Sequence, residues 1–123
     1  MNVDCVIVTY NRLSLLKECI TAVKAQTSPV HRIYVIDNNS TDGTFEFLEN
    51  FALDSQVKVI SLTENIGGAG GFARGIKEAV IAGADWVWVM DDDTIPYDDA
   101  LEKMLRAIDL TQDVGYVCSK VLW

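Results

Sequence analysis

The sequence predicts an α/β fold, a mostly parallel sheet with helices on both faces. Short apolar runs rich in β-branched residues alternate with longer segments of helical period along the 123 residues. Polar clusters fall at the ends of these runs: Thr9 to Arg12, Asp37 to Asn39, Asn65 to Gly71 and Asp91 to Asp93. In a parallel sheet these ends share one edge, where ligands collect.

Val3 to Thr9, VDCVIVT, has the length and composition of a buried parallel strand. Asn11 is placed to cap a helix from Arg12 to Gln26, in which Leu15, Leu16, Cys19, Ile20 and Val23 recur at helical spacing. After Pro29, RIYVID from Arg32 to Asp37 is the second strand, followed by the polar turn NNSTDG. Thr41 or Asp42 is expected to cap a short helix carrying Phe45, Phe47, Leu48 and Phe51. Val57 to Leu62, VKVISL, is the third strand. The glycine-rich segment NIGGAGG then leads into a helix carrying Phe72, Ile76, Val80 and Ile81, which ends at Gly83. Asp85 to Met90, DWVWVM, is the fourth strand, with three aspartates at its end. Residues 97–109 form an acid-first helix with Leu101, Met104, Leu105 and Ile108 facing inward. Val114 to Val121 is expected to begin a fifth strand. The apolar close KVLW, ending in Trp123, suggests that residues 1–123 are one domain from the amino-terminal part of a longer protein.

Composition narrows the function classes. Half the residues are apolar, as in a compact fold, and the net charge is −8, from 18 acidic and 10 basic residues. That balance argues against a nucleic-acid partner and against an anionic membrane surface. No apolar run approaches the roughly 18 residues of a spanning helix, and the amino terminus lacks the pattern of a leader. Cys5, Cys19 and Cys118 are therefore read as reduced core thiols of a cytoplasmic protein. His31, the one histidine, is expected in a turn or at the surface. It provides neither an imidazole metal cluster nor a serine-histidine-aspartate triad.

The carboxylates carry the chemistry. If the strand continued past its end, alternation would point Asp91 and Asp93 the same way and Asp92 the other. Crowded carboxylates either trap a proton or hold a cation. Oxygen donors suit Mg2+ or Mn2+, which in turn recruit phosphates. Asp37 ends the second strand, where a carboxylate accepts from a ribose hydroxyl or from the N3–H of a uracil ring, or closes an Asx-type turn. The first turn, TYNRLS, lacks glycine, which argues against a nicotinamide or flavin cofactor. NIGGAGGFARG lacks the G-K-[ST] of a phosphate loop, so its glycines permit close approach to a flat ligand instead. Arg74 reaches either toward that ligand or into a surface ion pair, and Asn65 caps the turn or bonds a neighbouring loop. Trp86 and Trp88 are read as packing groups, while Tyr10 either packs or lies beside a base.

Together, VIVTYNR, VIDNNSTDGT, ENIGGAGGFARG and WVWVMDDD resemble the nucleotide-sugar-binding half of the family two glycosyltransferases, with their Rossmann-like GT-A fold. The resemblance covers nearly the whole chain. Its GGAGGFARG and DDD versions are most similar to rhamnosyl- and galactofuranosyltransferase-like members that build bacterial cell-surface glycans. It implies that Thr9 and Tyr10 border the nucleoside and that Asn11 and Arg12 complete the first nucleotide-side turn. Asp37 would hold the base, with Asn39 beside it. Asn65 to Arg74, including Gly67 and Gly68, would close over base and ribose. Asp91 and Asp93 would hold Mn2+ or Mg2+, with Asp92 nearer the donor sugar or ribose.

The implied reaction is transfer, with inversion, from a UDP- or dTDP-linked sugar to a glycan or lipid-linked acceptor, at the inner face of the plasma membrane in a full-length protein. The general base is expected beyond residue 123, and Asp98, Asp99 and Glu102 read as first-turn helix acids. These 123 residues are thus expected to bind a donor without transferring its sugar. Two other readings are a nucleotidyltransferase, disfavoured by the missing glycine-rich basic opening turn, and a non-catalytic nucleotide-binding module.

Overall fold

The computed structural model describes residues 1–122 and contains a four-stranded parallel sheet. Its strands are β1 (Val3–Thr9), β2 (Arg32–Asp37), β3 (Val57–Ser61) and β4 (Trp86–Asp91), in the spatial order β3-β2-β1-β4. The helices are α1 (Leu13–Lys24), α2 (Thr44–Leu48, extended by a 3₁₀ turn, Glu49–Phe51), α3 (Gly67–Ile81) and α4 (Ala100–Asp109). The predicted fold class and the sequence of elements through α4 are therefore found. No helix among the described residues is long and apolar enough to cross a membrane.

Alternation along the strands builds two cores. Val3, Cys5 and Ile7 of β1, with Ile33 and Val35 of β2, face α1 through Leu16, Cys19, Ile20 and Val23. Leu48 of α2 and Leu101 of α4 complete that layer, and Trp86 and Trp88 pack against it as expected. Val6, Val8, Tyr34 and Ile36 point to the other face, covered by α3 through Ala79. The chain steps outward from β1 to β3, then returns across the sheet to β4. A right-handed crossover in the reverse direction must run over the opposite face, and α3 does so.

The glycine-rich segment is not a loop before a helix; it is the beginning of the helix. Gly71, Gly75 and Ala79, spaced four apart, are its buried stripe. A Cβ on Gly75 would lie 2.3 Å from Val6 Cγ1, and one on Gly71 would lie 2.7 Å from Val8 Cγ1. The missing side chains let the helix backbone sit almost directly on β1. Ile76, Val80 and Ile81 are consequently turned outward and exposed.

Other expectations need correction. Residues 114–121 form no strand: they enter no ladder, and Tyr116 and Val121 are exposed. An apolar run becomes a strand only where a neighbour supplies backbone partners, and β3 and β4 remain the sheet's edges. Trp123 lies outside the described residues. Cys5 and Cys19 are buried free thiols, and burial pushes Cys19 up to about 12. Cys118 is exposed, because the segment around it has no core to join. His31 is exposed in the turn before β2, where its Nδ1 lies 3.0 Å from Oδ1 of the buried Asp4.

The close approach of α3 to the sheet makes a direct prediction. Gly75→Ala should destabilise the fold by about 1–3 kcal/mol in urea unfolding, because overpacking outweighs the gain in helix propensity. Gly68→Ala, where an added Cβ meets nothing within 4 Å, should cost nothing measurable.

Candidate functional site

Strand order reverses between β1 and β4, so the crevice expected of an open parallel sheet lies at their carboxyl ends. Thr9 closes β1 and is in register with Asp37 on β2, while its neighbour Val8 is in register with Asp91 on β4. The separately predicted carboxylate clusters therefore flank one short stretch of backbone.

Thr9 is buried, and its Oγ1 donates to Asp92 Oδ2 at 2.9 Å. Asp92 is only 5% exposed. Burial pushes its carboxyl above the ordinary range, opposed by the Thr9 hydroxyl and by the Arg12 guanidinium. Arg12 Nη1 stands 3.6 Å from Asp92 Oδ1 and donates to Asp93 Oδ2 at 3.3 Å. The expected alternation from Asp91 to Asp93 does not continue. The strand stops at Asp91, whose carbonyl accepts from Thr94 N at 3.1 Å, and residues 92–93 form a turn. That turn sets Asp93 beside Asp92 across the arginine.

The exposed carboxylates of Asp91 and Asp93 have the hard oxygen donors that suit Mn2+ or Mg2+, with Asp93 sharing Arg12 with Asp92, which is buried and bonded to Thr9. Among the described residues, no group of three or more histidine, cysteine or acidic side chains is gathered to hold a metal ion. One or two carboxylates, completed by water and phosphate oxygens, match the usual Mg2+ pattern.

Asp37 is 2% exposed, and its Oδ1 accepts from Ser40 N at 3.0 Å, which forms an Asx-type turn. Asn39 follows in a left-handed conformation, φ 64°, and is exposed. Asn11 is also left-handed, φ 51°, and does not cap α1. Its N donates to Ser40 Oγ at 3.0 Å and its Oδ1 accepts from Thr41 N at 2.7 Å, fastening two loops together. The capping carboxylate comes from the neighbouring loop: Asp42 Oδ2 accepts from Leu13 N at 3.1 Å. Its other oxygen accepts from the Thr44 backbone at 3.2 Å and from the Thr44 hydroxyl. One side chain thus serves the starts of α1 and α2.

Asn38 was not selected from the sequence, where the only signal was a second amide beside Asp37. It is buried, with Nδ2 donating to Gly67 O at 3.0 Å and Oδ1 accepting from Ile66 N at 3.2 Å. This clamp ties the end of β2 to the entrance of α3. Asn65 Oδ1 accepts from Gly67 N at 2.8 Å, so it caps the turn locally. Gly68 faces open space. Arg74 lies along its own helix, with Nε donating to Glu78 Oε1 at 3.2 Å. Tyr10 is 45% exposed rather than packed in the core. Asn11, Arg12, Lys17 and Asp42 help wall an open cleft of about 710 Å³. A second recess, beside β3 and lined by Phe45, Phe51 and Val59, contains no predicted site residue.

Comparisons with known proteins bear on the family and the fold. The model of the family "Glycosyl transferase family 2" matches residues 4–122. The galactofuranosyltransferase GlfT1 of Mycolicibacterium smegmatis is 33% identical over 116 residues, covering 94% of this chain and 38% of that relative's length. The structure of S. aureus TarS 1–349 in complex with UDP matches 97% of this chain and 39% of its own, with TM-score 0.76 and 22% identity. A mannosyltransferase from Pyrobaculum calidifontis, in complex with GDP-Man and Mn2+, matches 85% of this chain and 31% of its own, with TM-score 0.74 and 24% identity. Those two likenesses are of fold. The chain spans about two fifths of the length of the curated relative.

The shared cap predicts a pH signature. The Thr44 hydroxyl, more than any other group, holds Asp42 below the ordinary carboxylate range. A depressed folded pKa stabilises above the unfolded value, near 3.9, and this contribution is lost as pH falls through the folded value. Asp42→Ala should therefore cost about 0.5–2 kcal/mol near neutral pH, a deficit that shrinks on acidification below about pH 4. Asp42→Asn should keep only part of that stability at neutral pH, because its one amide oxygen can accept at one of the two helix starts while its NH2 faces the backbone donor of the other.

Proposed function

The chain belongs to glycosyl transferase family 2, and on that premise we propose that it is the donor-binding part of an inverting enzyme that transfers a sugar from a nucleoside diphosphate. The donor is UDP- or dTDP-linked, and the acceptor is a growing glycan or a lipid-linked glycan at the inner face of a bacterial plasma membrane. Rhamnosyl- or galactofuranosyl-type transfer is the finer reading, supported by the likeness to the mycolicibacterial galactofuranosyltransferase. The observation that carries the proposal is the placement of two buried carboxylates about Thr9, Asp37 in register with it on β2 and Asp92 bonded to its hydroxyl just beyond β4.

Each residue then has a task set by its position. Asp37, held by the Ser40 amide, accepts from the N3–H of the base, with Thr9, Tyr10 and Asn39 around the nucleoside. Asn38 holds the 66–67 peptide, so that Asn65, Gly67 and Gly68 border the base and ribose. Asp92, anchored by Thr9, meets the ribose or donor sugar. Asn11 shapes the first turn, while Arg12 and Arg74 would reach the phosphates only on leaving their present carboxylate partners, Asp93 and Glu78. Asp91 and Asp93 are the residues assigned to Mn2+ or Mg2+, which would neutralise charge on the departing diphosphate. We assign no general base among the described residues. In the first turn of α4, Glu102 accepts from the Thr27 hydroxyl, and Asp99 just before it is paired with Lys103.

Titration calorimetry with UDP, with and without manganese, tests this reading. Asp91→Asn/Asp93→Asn should lose the manganese-dependent part of UDP affinity, roughly tenfold or more, while its unfolding curve stays intact. An unchanged manganese dependence would remove these two residues from the ion site. Asp37→Ala should weaken UDP roughly tenfold or more yet leave manganese pyrophosphate binding intact. Equal losses for both ligands would place Asp37 away from the base.

A further inference from the structure

We propose that Arg12 is an internal stand-in for the divalent cation, holding the Asp92–Asp93 turn until a metal–diphosphate arrives and then moving onto the phosphates. This inference rests on the donor-binding reading and adds a competition to it. The guanidinium already lies between the two carboxylates, 3.6 Å from Asp92 Oδ1 and 3.3 Å from Asp93 Oδ2. The three contiguous aspartates would otherwise repel one another with no positive charge between them.

The two partners of Arg12 differ in a way that makes the contact reversible. Asp92 is buried and has a second partner besides Arg12, the Thr9 hydroxyl at 2.9 Å. Asp93 and Arg12 are both about half exposed, with side-chain exposures of 51% and 53%. An ion pair so open to water is weak, and a dication sharing the Asp93 carboxylate with phosphate oxygens competes effectively with it. The backbone beneath Arg12 is fixed by the Asn11–Thr41 and Asp42–Leu13 hydrogen bonds, so displacement is a side-chain movement. Released from the carboxylates, the planar guanidinium can take two phosphate oxygens at once.

Competition has a signature that general electrostatics lacks. Mn2+ binding is measured by calorimetry on the nucleotide-free 123-residue chain and on three variants, Arg12→Gln, Arg12→Lys and Lys17→Gln. Lys17 shares the cleft with Arg12, but its ammonium stands over the Phe47 ring at 5.2 Å. Arg12→Gln should bind Mn2+ roughly twofold to fivefold tighter than wild type, while Arg12→Lys and Lys17→Gln stay close to wild type. With Mn2+ saturating, Arg12→Gln should bind UDP more weakly than wild type. The inference is overturned if Arg12→Gln gains no Mn2+ affinity, if Lys17→Gln gains as much, or if no protein binds Mn2+. A wild type that still binds UDP in those cases keeps the donor reading and loses only the stand-in. A wild type that binds neither UDP nor Mn2+ removes both.

Discussion

The hydrogen bond from Thr9 to Asp92 is the contact on which the geometry of the strand-end crevice depends. A carboxylate at 5% exposure is costly unless its oxygens are satisfied, and the cost of an unmatched buried charge exceeds the gain from any single surface pair. Thr9 supplies that match from the central strand, which is bonded to β2 on one side and β4 on the other. The position of the acidic turn is thereby referred to a strand held on both sides. A hydroxyl on a loop would not provide such a reference.

Around this anchor, the remaining loops are tied to one another by side-chain hydrogen bonds. Asn11 reaches the β2–α2 loop, Asp42 of that loop reaches back to α1, and Asn38 holds the entrance of α3. All three are short polar side chains that satisfy backbone groups left open at helix starts and turns. The close packing of α3 serves the same end from below. Glycines at 71 and 75 set the height of the helix above β1, and so the height at which residues 65–68 meet the crevice.

Much of this was legible in the sequence because strand and helix periods are strong local signals. VDCVIVT and RIYVID each contain four consecutive apolar residues, CVIV and IYVI, the pattern of a parallel strand covered on both sides. The clusters at Thr9, Asp37 and Asp91 to Asp93 could be assigned to one edge once the strands were known to be parallel. What could not be read was set by partners distant in the chain. The cap of α1 comes from Asp42 rather than the adjacent Asn11, and Asn38 acquires its importance only from the peptide it clamps. The run from Val114 to Val121 has the composition of a strand, but pairing depends on a free neighbour that composition does not reveal. NIGGAGG reads as a segment ahead of a helix, yet Gly67 to Gly71 form the start of that helix, with Gly71 seated on Val8.

The two borders of the sheet are unlike in a way that bears on how the chain behaves at high concentration. β3 carries the exposed Lys58 near its start, and a charge there discourages a second sheet from docking. β4 runs WVWVM without a charge before Asp91, and Val89 is 47% exposed. Among the described residues no strand pairs with its outer backbone groups, so any tendency of these 123 residues to self-associate should start along that strand.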